Sequence, residues 1–201
     1  AVSVLARRDV IVVLTGEGKT FSAGADANWM RSLANATELE NRNDSLRLAE
    51  LMRTLNFLPK PTVARVNGSA YGGGVGLIAC CDIAIGIEDA KFSLSEAKLG
   101  LVPAVISPYV IAAIGVRQAR RLFISAEIID GEEAQRIGLL HKAVSRSDLD
   151  DTIAHTLHYL RKCGAHAQAE AKALALRVAG LTPEEALRID IENAALIARL
   201  R

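Results

Sequence analysis

Apolar and polar positions follow two different periods along this chain. Val10 to Leu14 is a continuous β-branched and aliphatic run closed by Thr15-Gly16-Glu17-Gly18, which predicts a strand buried on both faces and ended by a turn. After the small residues Phe21-Ser22-Ala23-Gly24-Ala25-Asp26, the spacing lengthens. Leu48, Leu51, Met52 and Leu55 recur at helical intervals, Thr37 and Glu40 stand at capping-box spacing, and Pro59-Lys60-Pro61 ends the pattern. This predicts a long amphipathic helix. Thr62 to Val66 reads as a second strand, the run Gly72-Gly73-Gly74 opens a short helix through Leu77 to Cys81, and Ile83 to Ile87 reads as a third strand. The first half is thus a βαβαβ series.

Beyond residue 100 the pattern changes. Val102 to Val116 is apolar but interrupted by Pro103 and Pro108, Asp130 with Glu133 can cap a short helix through Gln135, and Leu139 to Val144 suits a strand. Asp148 to Lys162 and Ala165 to Val178 have helical spacing, and Thr182-Pro183-Glu184-Glu185 is a helix start for a segment reaching Leu200. The chain passes from α/β to mostly α near residue 145. No repeat or Gly/Ser-rich linker separates the parts, so residues 146–201 are expected to form a packed helical region on a core of residues 1–145.

Composition narrows the function classes. The 201 residues are 50% hydrophobic, enough for one well-buried domain, and 24 basic against 23 acidic groups give no global attraction to nucleic acid or an anionic membrane. The apolar stretches Tyr71 to Ile87 and Leu101 to Val116 are broken by glycine, proline or Asp82 and fall short of the roughly 20 residues of a membrane span. The first residues lack a basic segment followed by an apolar core, so no secretory signal is visible, and a cytoplasmic location is expected. Three cysteines, two of them adjacent at Cys80 and Cys81, point to buried free thiols in a reducing compartment. His155 and His158 lie three apart without a carboxylate at zinc-site spacing, and His141, His166 and Cys163 are isolated, so no metal site is predicted.

The glycine run carries the candidate chemistry. Glycines at the start of a helix leave bare N–H groups able to hold an anion or a polarised carbonyl oxygen. Gly74-Val75-Gly76-Leu77-Ile78-Ala79 also fits G-x-G-x-x-A, but Asn67 to Gly73 separate it from the preceding strand and the next strand begins too soon for a dinucleotide-binding crossover. There is no G-x-S-x-G elbow and no P-loop. Glu96, in Phe92-Ser93-Leu94-Ser95-Glu96-Ala97, stands between a strand and an apolar run, where burial would raise its proton affinity toward the range useful for proton transfer.

Taken in order, Phe21 to Asp26, Pro61 to Gly68, Ala70 to Gly74, Cys81 to Ala84 and Phe92 to Gly100 resemble the enoyl-CoA hydratase/isomerase (crotonase) family, over about residues 10–145 and into the helical end. The resemblance implies an α/β fold, a spiral of ββα turns followed by helices used in trimer assembly, with a homotrimer or a dimer of trimers expected. Family members carry additional strands and a helix before the strand at Val10, and a further segment after Arg201. It also implies that the N–H groups of Ala25 and Gly73 hold the oxygen of an acyl-CoA thioester, and that Ala23, Asp26, Ala27 and Gly72 line its path. No separate cofactor is implied, since coenzyme A enters with the substrate.

By the same resemblance Glu96 matches one of two catalytic glutamates, and Gly76 stands where hydratases have the other. One carboxyl group would then activate water for attack at the β-carbon and return a proton to the α-carbon. An isomerase that shifts a double bond with a single glutamate, and a non-catalytic acyl-CoA-binding member, are the alternatives. The stretches Ala25 to Arg31, Leu99 to Tyr109 and Ala119-Arg120-Arg121 are similar to bacterial hydratases of branched, carboxylated enoyl-CoAs, the methylglutaconyl-CoA and γ-carboxygeranoyl-CoA hydratases. Arg120 or Arg121 could then meet the distal carboxylate.

Overall fold

The computed structural model describes residues 10–24, 36–182 and 185. Its centre is a four-stranded, wholly parallel sheet of β1 (Val12–Thr15), β2 (Thr62–Val66), β4 (Ile83–Ile87) and β6 (Lys142–Val144), in the order β1-β2-β4-β6. A parallel sheet needs crossovers, and helices supply them. Helix α1 (Glu38–Asn56) joins β1 to β2, and α2 (Gly73–Ala79) leads to β4. Between them, β3 (Ala70–Tyr71) pairs in parallel with β5 (Phe92–Ser93), pairing Ala70 with Phe92 and Tyr71 with Ser93.

The strands inside the sheet are covered on both faces. Val63, Ala64, Val66, Ala84, Ile85 and Ile87 are all buried, as continuous apolar runs in parallel sheets tend to be. β1 departs from the expectation of burial on both faces. It is an edge strand of the described sheet, its exposure alternates, and Val13 stays 38% exposed. The same β-branched composition serves an edge strand, and periodicity alone does not separate the two.

Helix α1 begins as its capping box requires: the Glu40 N–H donates to Thr37 Oγ1 and the Thr37 N–H donates to Glu40 Oε2 at 2.8 Å. Its core face is Met52 and Leu55, with Leu48 packed alongside and Leu51 left exposed. Asp130 caps α4 (Gly131–Arg136) by accepting from the Glu133 N–H at 3.0 Å. Helix α3 (Ser107–Ser125) replaces the interrupted apolar stretch expected after Val102. Pro108 sits in its first turn, where a missing N–H costs nothing, and the non-helical Gly115 breaks it midway.

Helices α5 (Leu149–Arg161) and α6 (Ala165–Val178) complete the described fold. α6 is tied to the sheet through Asp82: the Thr62 N–H and hydroxyl each donate to Asp82 Oδ2 at 2.8 Å, and Lys172 Nζ reaches the same oxygen at 3.0 Å. The helix expected from Thr182 to Leu200 lies almost wholly outside the described residues, where only the Thr182–Glu185 capping bonds are placed. Cys80 and Cys81 are buried free thiols pushed up to about 12 by burial, whereas Cys163 is exposed, against the expectation for all three. No helix among the described residues is long and apolar enough to cross a membrane.

Candidate active site

The turn after β1 is held by one side chain. Asn67 Oδ1 accepts from the Gly16 N–H at 3.0 Å and from the Thr15 hydroxyl at 3.2 Å, while its amide nitrogen donates to Gly18 O at 3.0 Å. Gly68 lets Lys19 and Thr20 lie directly against the backbone. The chain leaves this clasp at Phe21 and Ser22, whose N–H groups both donate to Ser69 O. Residues 22–24 are thereby laid beside the glycine run: Ser22 O accepts from the Tyr71 N–H, and the Gly24 N–H donates to Ser22 Oγ. Ala23 is exposed on this segment. The expected donor Ala25, with Asp26 and Ala27, lies outside the described residues.

Each glycine of the run answers a different constraint. Gly72 has φ 52°, a left-handed conformation that a side chain disfavours, and its N–H donates to Ser93 O at 3.0 Å. A methyl group at Gly74 would stand 2.7 Å from Ser22 Oγ, so only glycine lets α2 start against that strand end. At Gly73 a methyl group would meet open space. Helix α2 begins there, and among the described residues neither the Gly73 nor the Gly74 N–H has an acceptor. The N–H groups at the first turn of a helix have no acceptor within the helix, and these two find none elsewhere among the described residues.

Glu96 is delivered to the same place by the β3–β5 pairing. Ser93, opposite Tyr71, also donates its hydroxyl to Ala126 O at 3.2 Å, and a 3-10 helix (Ser95–Leu99) follows at once. The carboxyl group lies over the glycine run, where a methyl at Gly72 would be 3.3 Å from Glu96 Oε1. Glu96 Oε2 is buried and makes no hydrogen bond with the protein. Burial raises the proton affinity of the half-buried carboxyl group, opposed only by a hydrogen bond to its own backbone. No charged side chain of the described residues contributes to this shift. An acid kept short of partners next to free N–H donors can pass a proton to or from a bound carbonyl compound.

Gly76 has a reason that its spelling does not reveal. A methyl group there would lie 2.8 Å from Ile106 Cβ, closer still to Ile106 Cγ2, and 3.3 Å from Met52 Cε. Ile106 is 2% exposed and Met52 fully buried. The position facing a second carboxyl group is filled by hydrocarbon. Ser22, Ser93, Asn67 and Ile106 are the residues that sequence reasoning passed over, because their contacts join segments far apart in the chain.

Other candidates resolve as structural. Gly74 and Gly76 serve close packing in a helix of seven residues, which leaves no dinucleotide crossover. His141 Nδ1 accepts from the Ala84 N–H at 3.0 Å, and His155 packs edge-on to Tyr159 with ring centroids 4.9 Å apart. Among the described residues no group of three His, Cys, Asp or Glu could hold a metal ion. Arg120 is exposed, and Arg121 is engaged by Glu127 at 2.6 Å and Glu133 at 2.7 Å, so the arginine recognition expected from Arg121 has no free guanidinium behind it. A cavity of about 720 Å³ beside β1, lined by Val10, Val13, Pro59, Leu157 and Leu160 among others, contains none of the site residues.

A parallel sheet winding into a glycine-opened helix, with a half-buried glutamate over that helix start, is a crotonase-type arrangement. The solved structure of an enoyl-CoA hydratase from Shewanella pealeana superposes with a TM-score of 0.92 at 41% identity, covering 98% of this chain and 74% of that one. The family model for enoyl-CoA hydratase/isomerase matches residues 6–197, and the chain belongs to that family. It is 32% identical over 186 residues to a crotonyl-CoA hydratase of Syntrophomonas wolfei, 92% of this chain and 67% of the relative. It is 37% identical over 143 residues to a short-chain-enoyl-CoA hydratase of Clostridium acetobutylicum, 70% of this chain and 54% of the relative. The chain spans about half the length of several curated relatives it matches.

Proposed function

We propose that this protein is an enoyl-CoA hydratase that adds water across the α,β double bond of an enoyl-CoA thioester. The observation that carries the reading is the Glu96 carboxyl group, with no hydrogen-bond partner on Oε2, packed against Gly72 at the start of the helix whose Gly73 and Gly74 N–H groups have no acceptor among the described residues. A thioester oxygen held by the Gly73 N–H, with the Ala25 N–H as the second donor, draws electron density from the double bond and makes the β-carbon electrophilic. Loss of one such donor typically costs a hundredfold or more. Water attacks the β-carbon, charge collects on the thioester oxygen, and Glu96 places a proton on the α-carbon as the carbonyl reforms. In the minimal scheme Glu96 also takes the proton from the water. Ala23, Gly72, Asp26 and Ala27 border the bound thioester.

The hydratase names of the similar proteins from S. wolfei and C. acetobutylicum support hydration over the isomerase alternative. A branched, carboxylated substrate such as 3-methylglutaconyl-CoA rests on the likeness of the Ala25 to Arg31, Leu99 to Tyr109 and Ala119 to Arg121 stretches to hydratases of such substrates. Assembly into a homotrimer or a dimer of trimers is part of the same proposal. Exposed Val116, Ile124 and Ile128 on and beside α3 offer apolar surface for it. A cytoplasmic location, without nucleic-acid or membrane partners, suits the near-balanced charge.

The test follows the absorbance of the conjugated thioester with crotonyl-CoA, 3-methylglutaconyl-CoA and a 3-enoyl-CoA. Water addition by the native protein, reduced about a hundredfold or more in Glu96→Gln, is the expected result. Unchanged activity in that variant would remove Glu96 from the chemistry. Reaction of the 3-enoyl-CoA alone would make the protein an isomerase.

A further inference from the structure

The short 3-10 helix that carries Glu96 has little of its own to fix it in place. None of its residues, Ser95 to Leu99, is buried, no side chain caps its start, and the chain beyond it stays exposed at Leu101 and Val102. Glu96 Oε2 makes no hydrogen bond with the protein that could aim the carboxyl group. The direction of the acid is therefore inherited from the main chain. The firm part of that main chain lies upstream, where Phe92, Ser93 and Leu94 are all buried.

Ser93 is tied on two sides. Its carbonyl oxygen accepts from the Gly72 N–H at 3.0 Å, and its hydroxyl donates to Ala126 O at 3.2 Å. Ala126 ends α3, the helix that packs on the 3-10 helix. It is buried and, among the described residues, the one non-glycine residue in the left-handed region, with φ 47°. A turn that an alanine adopts reluctantly needs something to hold it, and a buried carbonyl there needs a donor. The Ser93 hydroxyl answers both needs.

Resting on the hydratase reading, we propose that Ser93 is a positioning residue: the clamp from its hydroxyl to Ala126 O fixes β5 against the end of α3 and so holds the Glu96 carboxyl group against Gly72 at the start of α2. Without the hydroxyl, the main-chain bonds of Phe92 with Ile129 and of Gly72 with Ser93 still keep the strand, and the fold persists. What is lost is the fixed angle at which the 3-10 helix leaves β5. Proton transfer to carbon depends steeply on alignment, and a displacement of about 1 Å can cost about a hundredfold. Binding of the thioester oxygen uses N–H groups on α2 and depends on that angle much less.

Two reactions read the effect. One is hydration of crotonyl-CoA, and the other is exchange of the α-protons of butyryl-CoA in deuterated water, followed by NMR. In the exchange, the Glu96 carboxylate takes an α-proton and the electron pair moves onto the thioester oxygen. The carboxyl group swaps its proton for a deuteron from solvent and returns that deuteron to the same carbon as the carbonyl reforms. No attacking water is needed. Ser93→Ala is expected to lose about tenfold or more in kcat for both reactions, with KM changed by less than about threefold. In the Glu96→Gln background the same change is expected to cost less than about twofold, because no carboxyl group is left to position.

A native kcat in Ser93→Ala would overturn the inference. So would equal losses in the native and Glu96→Gln backgrounds, which would leave the hydroxyl a role in folding alone, and so would a loss confined to KM. Exchange by the native protein without hydration would overturn the hydratase reading and leave the role of Ser93 to be read from the exchange rates. Absence of both reactions in the native protein would overturn both.

Discussion

Replacing Gly76 by alanine tests whether the contact with Ile106 is as tight as the structure shows. In an ordinary helix interior the change is favourable by about 0.5–1 kcal/mol, because alanine loses less backbone freedom than glycine on folding. Here the new methyl group would overlap Ile106 Cγ2, stand 2.8 Å from Ile106 Cβ and press on Met52 Cε at 3.3 Å. All of these atoms are buried. Overpacking in a core of this kind costs about 1–3 kcal/mol, which outweighs the propensity gain and leaves a net loss of about 1–2 kcal/mol. Urea unfolding of the purified protein reads this as a lower midpoint with an unchanged slope.

Ile106→Ala supplies the control, since it removes Cγ2, the atom nearest to the new methyl group. Alone it costs about 2–5 kcal/mol by opening a cavity. Combined with Gly76→Ala, it is expected to cost about 1 kcal/mol less than the sum of the two single changes. Ile106→Val retains Cγ2 and is expected to give no such relief. A Gly76→Ala protein as stable as the native one, or strictly additive behaviour in the double variant, would refute the claim that Ile106 closes this position.

Two further outcomes follow from other contacts. Glu96→Gln is expected to raise stability at neutral pH and leave it unchanged in acid. The folded carboxyl group has the higher pKa, so the folded state binds more protons between the unfolded and folded values, and native stability falls as pH rises through that window; equal stability gaps at pH 3 and pH 7 would refute it. Asn67→Ala removes three hydrogen bonds around the turn at Gly16 to Gly18 and leaves donors there unmatched, for an expected loss of about 1–3 kcal/mol in thermal or urea unfolding. Activity is expected to fall with it, because that turn sets the course of residues 21–24; a stable variant would show that the clasp is dispensable.

The parts of the fold that read directly from the chain are those fixed by neighbours in sequence. The Thr37–Glu40 capping box, the Asp130 cap, the strand at Thr62 to Val66 and the helix opening at the glycine run all depend on residues within a few positions of one another. The placement of Glu96 beside that run was legible only through the family motif. The pairing of Ser93 with Tyr71 that brings it there joins segments twenty-two residues apart. The misreadings have the same origin. β1 has the composition of an inner strand but sits at the edge of the described sheet, and of the two prolines expected to interrupt the apolar stretch only Pro103 lies outside the helix, Pro108 being in the first turn of α3. Gly76 read as a missing acid, and only the approach of Ile106 shows the position to be sterically closed.

The hydrogen bond from the Gly72 N–H to Ser93 O makes the donor at Gly73 and the acid at Glu96 two ends of one small rigid unit. The unit is not isolated, because α3 packs on both the 3-10 helix that carries Glu96 and α2, and Met52 of α1 lies against Gly76. A substitution that shifts α3 therefore moves both ends of the unit together, and changes in the acyl-chain room made through that helix reach the acid and the donor alike.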